Sequence, residues 1–227
     1  MIEFRGRAIP ETLEEILDPS HTVLDIQDMQ NNPCNPESEQ SKRLGGHFNC
    51  DRIVGTLLKL RESARKAGVK VMYTQSTAQP NYQNVSDIAI WKSYTSKTPD
   101  FADPKNPLPQ TGNPFTWGWE IIDELKPLPT EVRIMKHRSD PFVGTNFESV
   151  LKNNRIRTII PCGVALEIGI DAVARTATFL DYFVVIPRDA VSGMKEDYMK
   201  DAMKWLERSV IVTSSSEIMK IWEKKSN

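Results

Sequence analysis

Thr158-Ile-Ile-Pro-Cys-Gly-Val-Ala-Leu-Glu-Ile-Gly-Ile-Asp171 runs from a short apolar stretch, through a turn of small residues, into an amphipathic segment. An apolar run this short, stopped by Gly163, predicts a buried strand over Thr158–Cys162, and Glu167–Leu180 predicts the helix that follows. The same alternation extends outward in both directions. Candidate strands are Thr22–Gln27, Val69–Thr74, Val132–Met135, Tyr182–Pro187 and Val210–Thr213. Between the first two, Ile53, Val54, Leu57, Leu58 and Leu60 form the apolar stripe of a helix that Gly68 ends in the manner of a C-cap glycine. Lys195–Arg208 predicts a later helix, and Ser214-Ser-Ser-Glu217 a helix start with its acidic residue near the N-terminal dipole. Buried strands alternating with helices predict an α/β fold, a mainly parallel sheet covered on both faces. With no internal repeat, residues 1–227 are read as a single domain.

The bulk properties narrow the function. A net charge of -1, from 29 basic and 30 acidic side chains, supplies no field to draw in nucleic acid or an anionic membrane, so a small-molecule partner is expected. No apolar run approaches the roughly 20 residues that span a bilayer. The start, Met-Ile-Glu-Phe-Arg-Gly-Arg, lacks the basic-then-apolar layout of a secretory signal, and a cytoplasmic protein is expected. Cys34, Cys50 and Cys162 are too few and too irregularly spaced for a disulfide framework or a zinc knuckle.

Residues 76–117 break the rhythm. This long excursion carries Pro80, Pro99, Pro104, Pro107, Pro109 and Pro114, together with Tyr82, Trp91, Tyr94, Phe101, Phe115 and Trp117. So many aromatic residues argue for packing against the body or a neighbouring subunit; a substrate lid is the alternative.

Three separated segments hold the candidate chemistry. Asp28 follows the first strand at its carboxyl end, where open parallel sheets place their ligand crevice. Lys136 closes the strand that begins at Val132. Taken singly, the aspartate reads better as a cap and the lysine as the point where the chain meets solvent. Asp25, at odd spacing from Asp28 along an extended strand, is expected on the opposite face as a structural carboxylate.

Taken together, Val23-Leu-Asp-Ile-Gln-Asp-Met-Gln30, Met135-Lys136 with the following His137-to-Thr145 stretch, and Cys162–Asp171 resemble the isochorismatase-like hydrolases, or cysteine hydrolases. The resemblance covers roughly His21 to Val212. It implies a three-layer α/β/α domain with six strands in the order 3-2-1-4-5-6, and a homo-oligomer (dimer or tetramer). It also implies that Asp28 and Lys136 are catalytic, that Gln30 and Phe142 line the substrate pocket, and that the Val164–Ala165 bond is cis. The amides of Ala165 and Gly169 would form an oxyanion hole. Most members carry a cysteine nucleophile, and that position is Gly169 here. An aliphatic residue is usual where this chain has Asp25.

Glycine offers no nucleophile, so no thioester can form. Cys162 precedes the turn and reads as a small buried thiol. Cys34 and Cys50 match no nucleophile and could border the pocket. Metal-binding members carry histidines after the second strand, but this chain has Thr74-Gln-Ser-Thr-Ala-Gln-Pro-Asn81 there; with His21, His47 and His137 unsuitably spaced, no metal and no cofactor are expected. Two classes stay open. One is a hydrolase working by acid–base chemistry, in the manner of isochorismatases that lack the cysteine. The other is a non-catalytic small-molecule binder. An amide or ureido hydrolase is kept as a further alternative, because Trp119–Arg188 resembles the ureidoacrylate amidohydrolases.

Overall fold

A computed structural model describes residues 1–44, 48–79, 83–88, 91 and 112–225. His47 and most of the 76–117 excursion, including Tyr82, Tyr94 and Phe101, lie outside them. Of the excursion's aromatic residues that are described, Trp91, Phe115 and Trp117 are exposed.

The chain opens with a hairpin, β1 (Ile2–Phe4) and β2 (Arg7–Ile9), joined through Arg5 and Gly6, both at positive φ. Two such residues make the tight turn whose twist suits paired strands. Strands of three residues, exposed except for half-buried Ile9, carry no alternating pattern, and the sequence reading missed them. A one-turn helix, α1 (Leu13–Ile16), follows behind a Thr12–Glu15 capping box.

The main sheet comprises β3 (Thr22–Gln27), β4 (Lys70–Ser76), β5 (Val132–Lys136), β6 (Thr158–Gly163), β7 (Phe183–Pro187) and β8 (Ile211–Thr213). Every pairing is parallel, and the spatial order β5-β4-β3-β6-β7-β8 is the expected 3-2-1-4-5-6. All six residues of β3 and of β6 are buried, as central strands of a doubly covered sheet must be. The order reverses direction between β3 and β6, which puts the switch point at their carboxyl ends.

Short helices α2 (Asn31–Cys34) and α3 (Glu39–Leu44) follow β3. Then α4 (Asp51–Lys66) buries Ile53, Leu57, Leu60 and Ala64, and Gly68 at φ +76° ends it as predicted. Next come α5 (Phe147–Asn153), α6 (Asp171–Phe179), α7 (Glu196–Ser209) and α8 (Ser215–Lys225). Helix α4 packs against α8, and α6 against α7, giving the helical layers on the two faces of the sheet. The Ser214 hydroxyl accepts from the Glu217 N–H, the cap that its sequence suggested. Trp222 of α8 is fully buried and donates its indole N–H to the Leu17 carbonyl at 3.1 Å, tying the last helix to the start of the chain.

The expected helix Glu167–Leu180 forms in two parts. Leu166–Ile170 is a π-type turn, with five-residue hydrogen-bond spacing, and the α-helix begins only at Asp171. Wide turns of this kind are frequent at functional sites, and this one contains Gly169.

Candidate active site

The carboxyl ends of β3, β5 and β6 bring the three sequence segments together. Asp28 leaves β3 in a left-handed conformation, φ +51°, which Asp tolerates better than most residues. Its N–H donates to the Thr74 carbonyl at 2.9 Å, and this seats the residue between β3 and β4. Its side chain takes two hydrogen bonds. Lys136 Nζ donates to Oδ2 at 2.6 Å, and the Ser76 N–H donates to Oδ1 at 2.7 Å. The lysine side chain is 3% exposed and the aspartate's 16%, so the pair is enclosed and its mutual attraction is weakly screened. Lys136 also donates to the Ser139 carbonyl at 3.3 Å.

Gly169 is buried opposite this pair. A Cβ built on it would lie 3.7 Å from Asp28 Oδ2, 3.6 Å from the Ser139 carbonyl oxygen and 3.1 Å from Gln27 Oε1. The Val164–Ala165 peptide is cis, as the resemblance implied. Gly163, at φ +102°, precedes it and passes so close to β3 that a Cβ would come within 2.3 Å of the Gln27 carbonyl oxygen. Only glycine fits there.

Asp25 corrects the expectation of opposite faces. The strand alternation that separates Asp25 from Asp28 is broken by the left-handed torsion at Asp28, so Gln27 and Asp28 both reach toward Gly169. Gln27 Nε2 donates to Asp25 Oδ2 at 2.9 Å, linking the deeper carboxylate to the site. Burial pushes Asp25 up to about 7, against the opposing influence of the Gln27 amide and the Lys136 ammonium.

The remaining candidates have more local positions. Gln30 spends both amide protons on main-chain carbonyls, Ser76 at 3.0 Å and Trp119 at 2.8 Å, which pins the segment after the excursion to the sheet. Phe142 stands edge-on to Phe147, with centroids 4.8 Å apart, and 6.1 Å from Tyr182; the structure seats its ring in this aromatic cluster. His137 Nδ1 lies 2.8 Å from the Thr77 carbonyl, which only accepts, so Nδ1 carries the proton. Arg138 turns to the Asn84 carbonyl, and the Lys136-His137-Arg138 run therefore diverges.

Cys162 is fully buried, its Sγ 3.5 Å from the Asp25 carbonyl, and burial pushes its thiol well above the usual range. Cys34 and Cys50 are buried in the core cluster, and burial together with the Cys50 neighbour raises Cys34 likewise. A hollow of about 390 Å³, lined by Val23, Val69, Leu128, Val132 and Ile156, lies at the other end of the strands, away from Asp28 and Lys136. Among the described residues no helix is long and apolar enough to cross a membrane, and no group of three or more His, Cys, Asp or Glu is placed to hold a metal.

Three residues close to Asp28 or Gly169 escaped the sequence reading. Ser76 and Ser139 act through main-chain atoms, which leave no side-chain signature. Gln27 did leave one, a polar residue within an apolar strand.

Comparison with known proteins adds to this geometry. The isochorismatase domain family matches residues 22–217. The ureidoacrylate amidohydrolase RutB of Agrobacterium fabrum is 31% identical over 196 residues, covering 82% of this chain and 82% of that protein. The crystal structure of a cysteine hydrolase from Pseudomonas syringae pv. phaseolicola is similar with a TM-score of 0.77 at 20% identity, covering 91% of this chain and 94% of that one. N-carbamoylsarcosine amidase from Thermoplasma acidophilum follows the same course, with a TM-score of 0.66 at 22% identity, over 86% and 96% of the two chains. Likeness at these structural identities speaks for the fold alone.

Proposed function

The chain belongs to the isochorismatase domain family, and we propose that it is a hydrolase of a small organic metabolite that works by acid–base chemistry without a cysteine nucleophile. The observation that carries this reading is the 2.6 Å contact between Lys136 and Asp28 beside a glycine. Asp28 transfers the proton, and Lys136 stabilises negative charge that develops on the substrate. Gly169 offers no covalent partner, so water is the nucleophile. The amides of Ala165 and Gly169, in the turn before α6, are the proposed anion-binding donors. Gln30 and Phe142 act from the border of the pocket, Gln30 by fixing the segment around Trp119.

With a vinyl ether such as isochorismate, Asp28 protonates the vinyl carbon. Water captures the resulting oxocarbenium ion and returns a proton to Asp28; the hemiketal then breaks its bond to the departing oxygen, which takes up the proton that the hemiketal hydroxyl releases. This route starts with Asp28 as the acid, with an anionic substrate engaging the Lys136 ammonium.

An amide or ureido substrate is the second reading, and two observations favour it. The relative at 31% identity is named a ureidoacrylate amidohydrolase. In addition, both near contacts of the Asp28 side chain are donors, the setting of a carboxylate that accepts a proton from water.

The same reading treats residues 1–227 as one cytoplasmic domain that needs no cofactor and assembles as a homo-oligomer.

Assay of the purified protein against isochorismate, ureidoacrylate and a panel of simple amides tests the proposal. Turnover that disappears in Asp28→Asn supports it, and the substrate consumed decides between the two readings. Full turnover by Asp28→Asn removes Asp28 from the chemistry. Ligand-dependent rise in melting temperature without turnover would identify a binding protein instead.

A further inference from the structure

Gln27 is fully buried, and its Oε1 has no protein partner among the described residues. Buried polar atoms are nearly always hydrogen-bonded, so an acceptor held in this way needs an explanation. Its direction is set from below. Asp25 accepts the Nε2 hydrogen bond at 2.9 Å, which turns the amide so that Oε1 faces Gly169. There it stands 3.1 Å from the point where a Cβ at position 169 would lie, and Asp28 Oδ2 is 3.7 Å from the same point. The Ser139 carbonyl oxygen, at 3.6 Å, closes the group. Lys136 already touches two of these three oxygens.

We propose that Gln27, anchored on Asp25, is the positioning residue for the hydrolytic water, which its Oε1 holds against Asp28 in the space left by the missing side chain of Gly169. The inference rests on the hydrolase reading above. A water fits this niche by polarity, because it has two protons to give and both neighbours accept. A second cation is disfavoured by the Lys136 ammonium, and an apolar group would leave Oε1 unsatisfied. In the reaction the water oxygen forms a bond to the electrophilic carbon of the substrate, and one of its protons passes to Asp28. The bond to the leaving group breaks, and the leaving group takes its proton from Asp28. The amide fixes the attacking lone pair without exchanging a proton, which is the contribution of orientation.

The test has two arms. A crystal structure of the full chain should show an ordered water within about 3 Å of both Gln27 Oε1 and Asp28 Oδ2. In Gln27→Met that water should be gone while the Lys136–Asp28 contact remains. No water in the parent, or Gln27 Nε2 turned toward Asp28, overturns the proposal. In the kinetic arm, using isochorismate and ureidoacrylate, Gln27→Met should lower kcat by about 10- to 100-fold with KM within about twofold. An unchanged kcat, or a loss confined to KM, overturns the role of Gln27 and leaves Asp28 in place. Full activity in Asp28→Asn would instead remove Asp28 from the chemistry, and ligand binding without turnover would defeat the hydrolase reading itself. Where neither substrate is consumed, the crystallographic arm decides. The paired variant Asp25→Leu with Gln27→Met removes both polar groups together and serves if the single variant does not fold.

Discussion

Lys136 Nζ lies 2.6 Å from Asp28 Oδ2, and the lysine is the more deeply enclosed of the two, 3% exposed against 16%. Removing the aspartate therefore strands a buried ammonium, whereas removing the lysine leaves a carboxylate that still receives the Ser76 N–H. Asp28→Ala should lose about 3–5 kcal/mol in urea unfolding, more than Lys136→Met. Adding Lys136→Met to Asp28→Ala should recover part of the loss. Asp28→Asn should stay folded, because Asn tolerates the left-handed torsion at this position, and should lose turnover by about a thousandfold or more. Equal stability of the two single variants would argue against an enclosed pair.

The two glycines around the turn should respond differently to alanine. At Gly163 a Cβ meets main chain, the Gln27 carbonyl oxygen at 2.3 Å, on a backbone with φ +102°. Gly163→Ala should lower the melting temperature by roughly 10 °C or prevent folding. At Gly169 the nearest atom is the end of a side chain and the backbone is not left-handed, so the lower unfolded-state entropy of alanine, worth about 0.4–1 kcal/mol, offsets the tight contact. Gly169→Ala should melt within about 3 °C of the parent, while kcat falls because Gln27 Oε1 is displaced. Thermal melts of the two variants side by side check the contrast.

Asp25 makes stability fall as pH rises. Its folded-state value of about 7 lies above the ordinary 3.8, so the native state holds a proton that the unfolded chain releases. The stabilisation is fully present below about pH 4 and is lost progressively as pH climbs toward 7. Over that window this one group should contribute a decline of about 4 kcal/mol. Asp25→Asn should flatten the curve, which urea midpoints at pH 5 and pH 8 will show. An equally steep decline in the variant would assign it to another group.

All three cysteines are buried. The native protein should release no thiol to a disulfide reagent at pH 8, and the three should appear only after denaturation. One fast-reacting thiol in the native state would reopen the question of a cysteine nucleophile.

The sheet was legible because its six strands are short, largely apolar runs between turn signals; its parallel direction followed from the helices between them, and its strand order from the family resemblance. Asp28 and Lys136 were placed at strand ends by the apolar pattern, and it was the family resemblance of the residues around them that marked them out together. What stayed hidden depended on torsions and main-chain atoms. Asp25 looked remote from Asp28 under regular alternation, and nothing in the residue types announced the left-handed turn between Gln27 and Met29. The ring contacts of Phe142 with nearby Phe147 and with Tyr182, which is distant in the chain, left no mark in the sequence pattern. The π-type turn around Gly169 escaped because its apolar spacing is that of an ordinary helix.

The torsion at Asp28 has a consequence for anyone transplanting this site. A parallel strand ordinarily presents one side chain in every two to a given face, so copying the residues Gln27 and Asp28 onto another sheet would send them to opposite sides. A scaffold must reproduce the backbone rotation along with the residue identities, and a shift of one position in β3 would dismantle the arrangement instead of moving it.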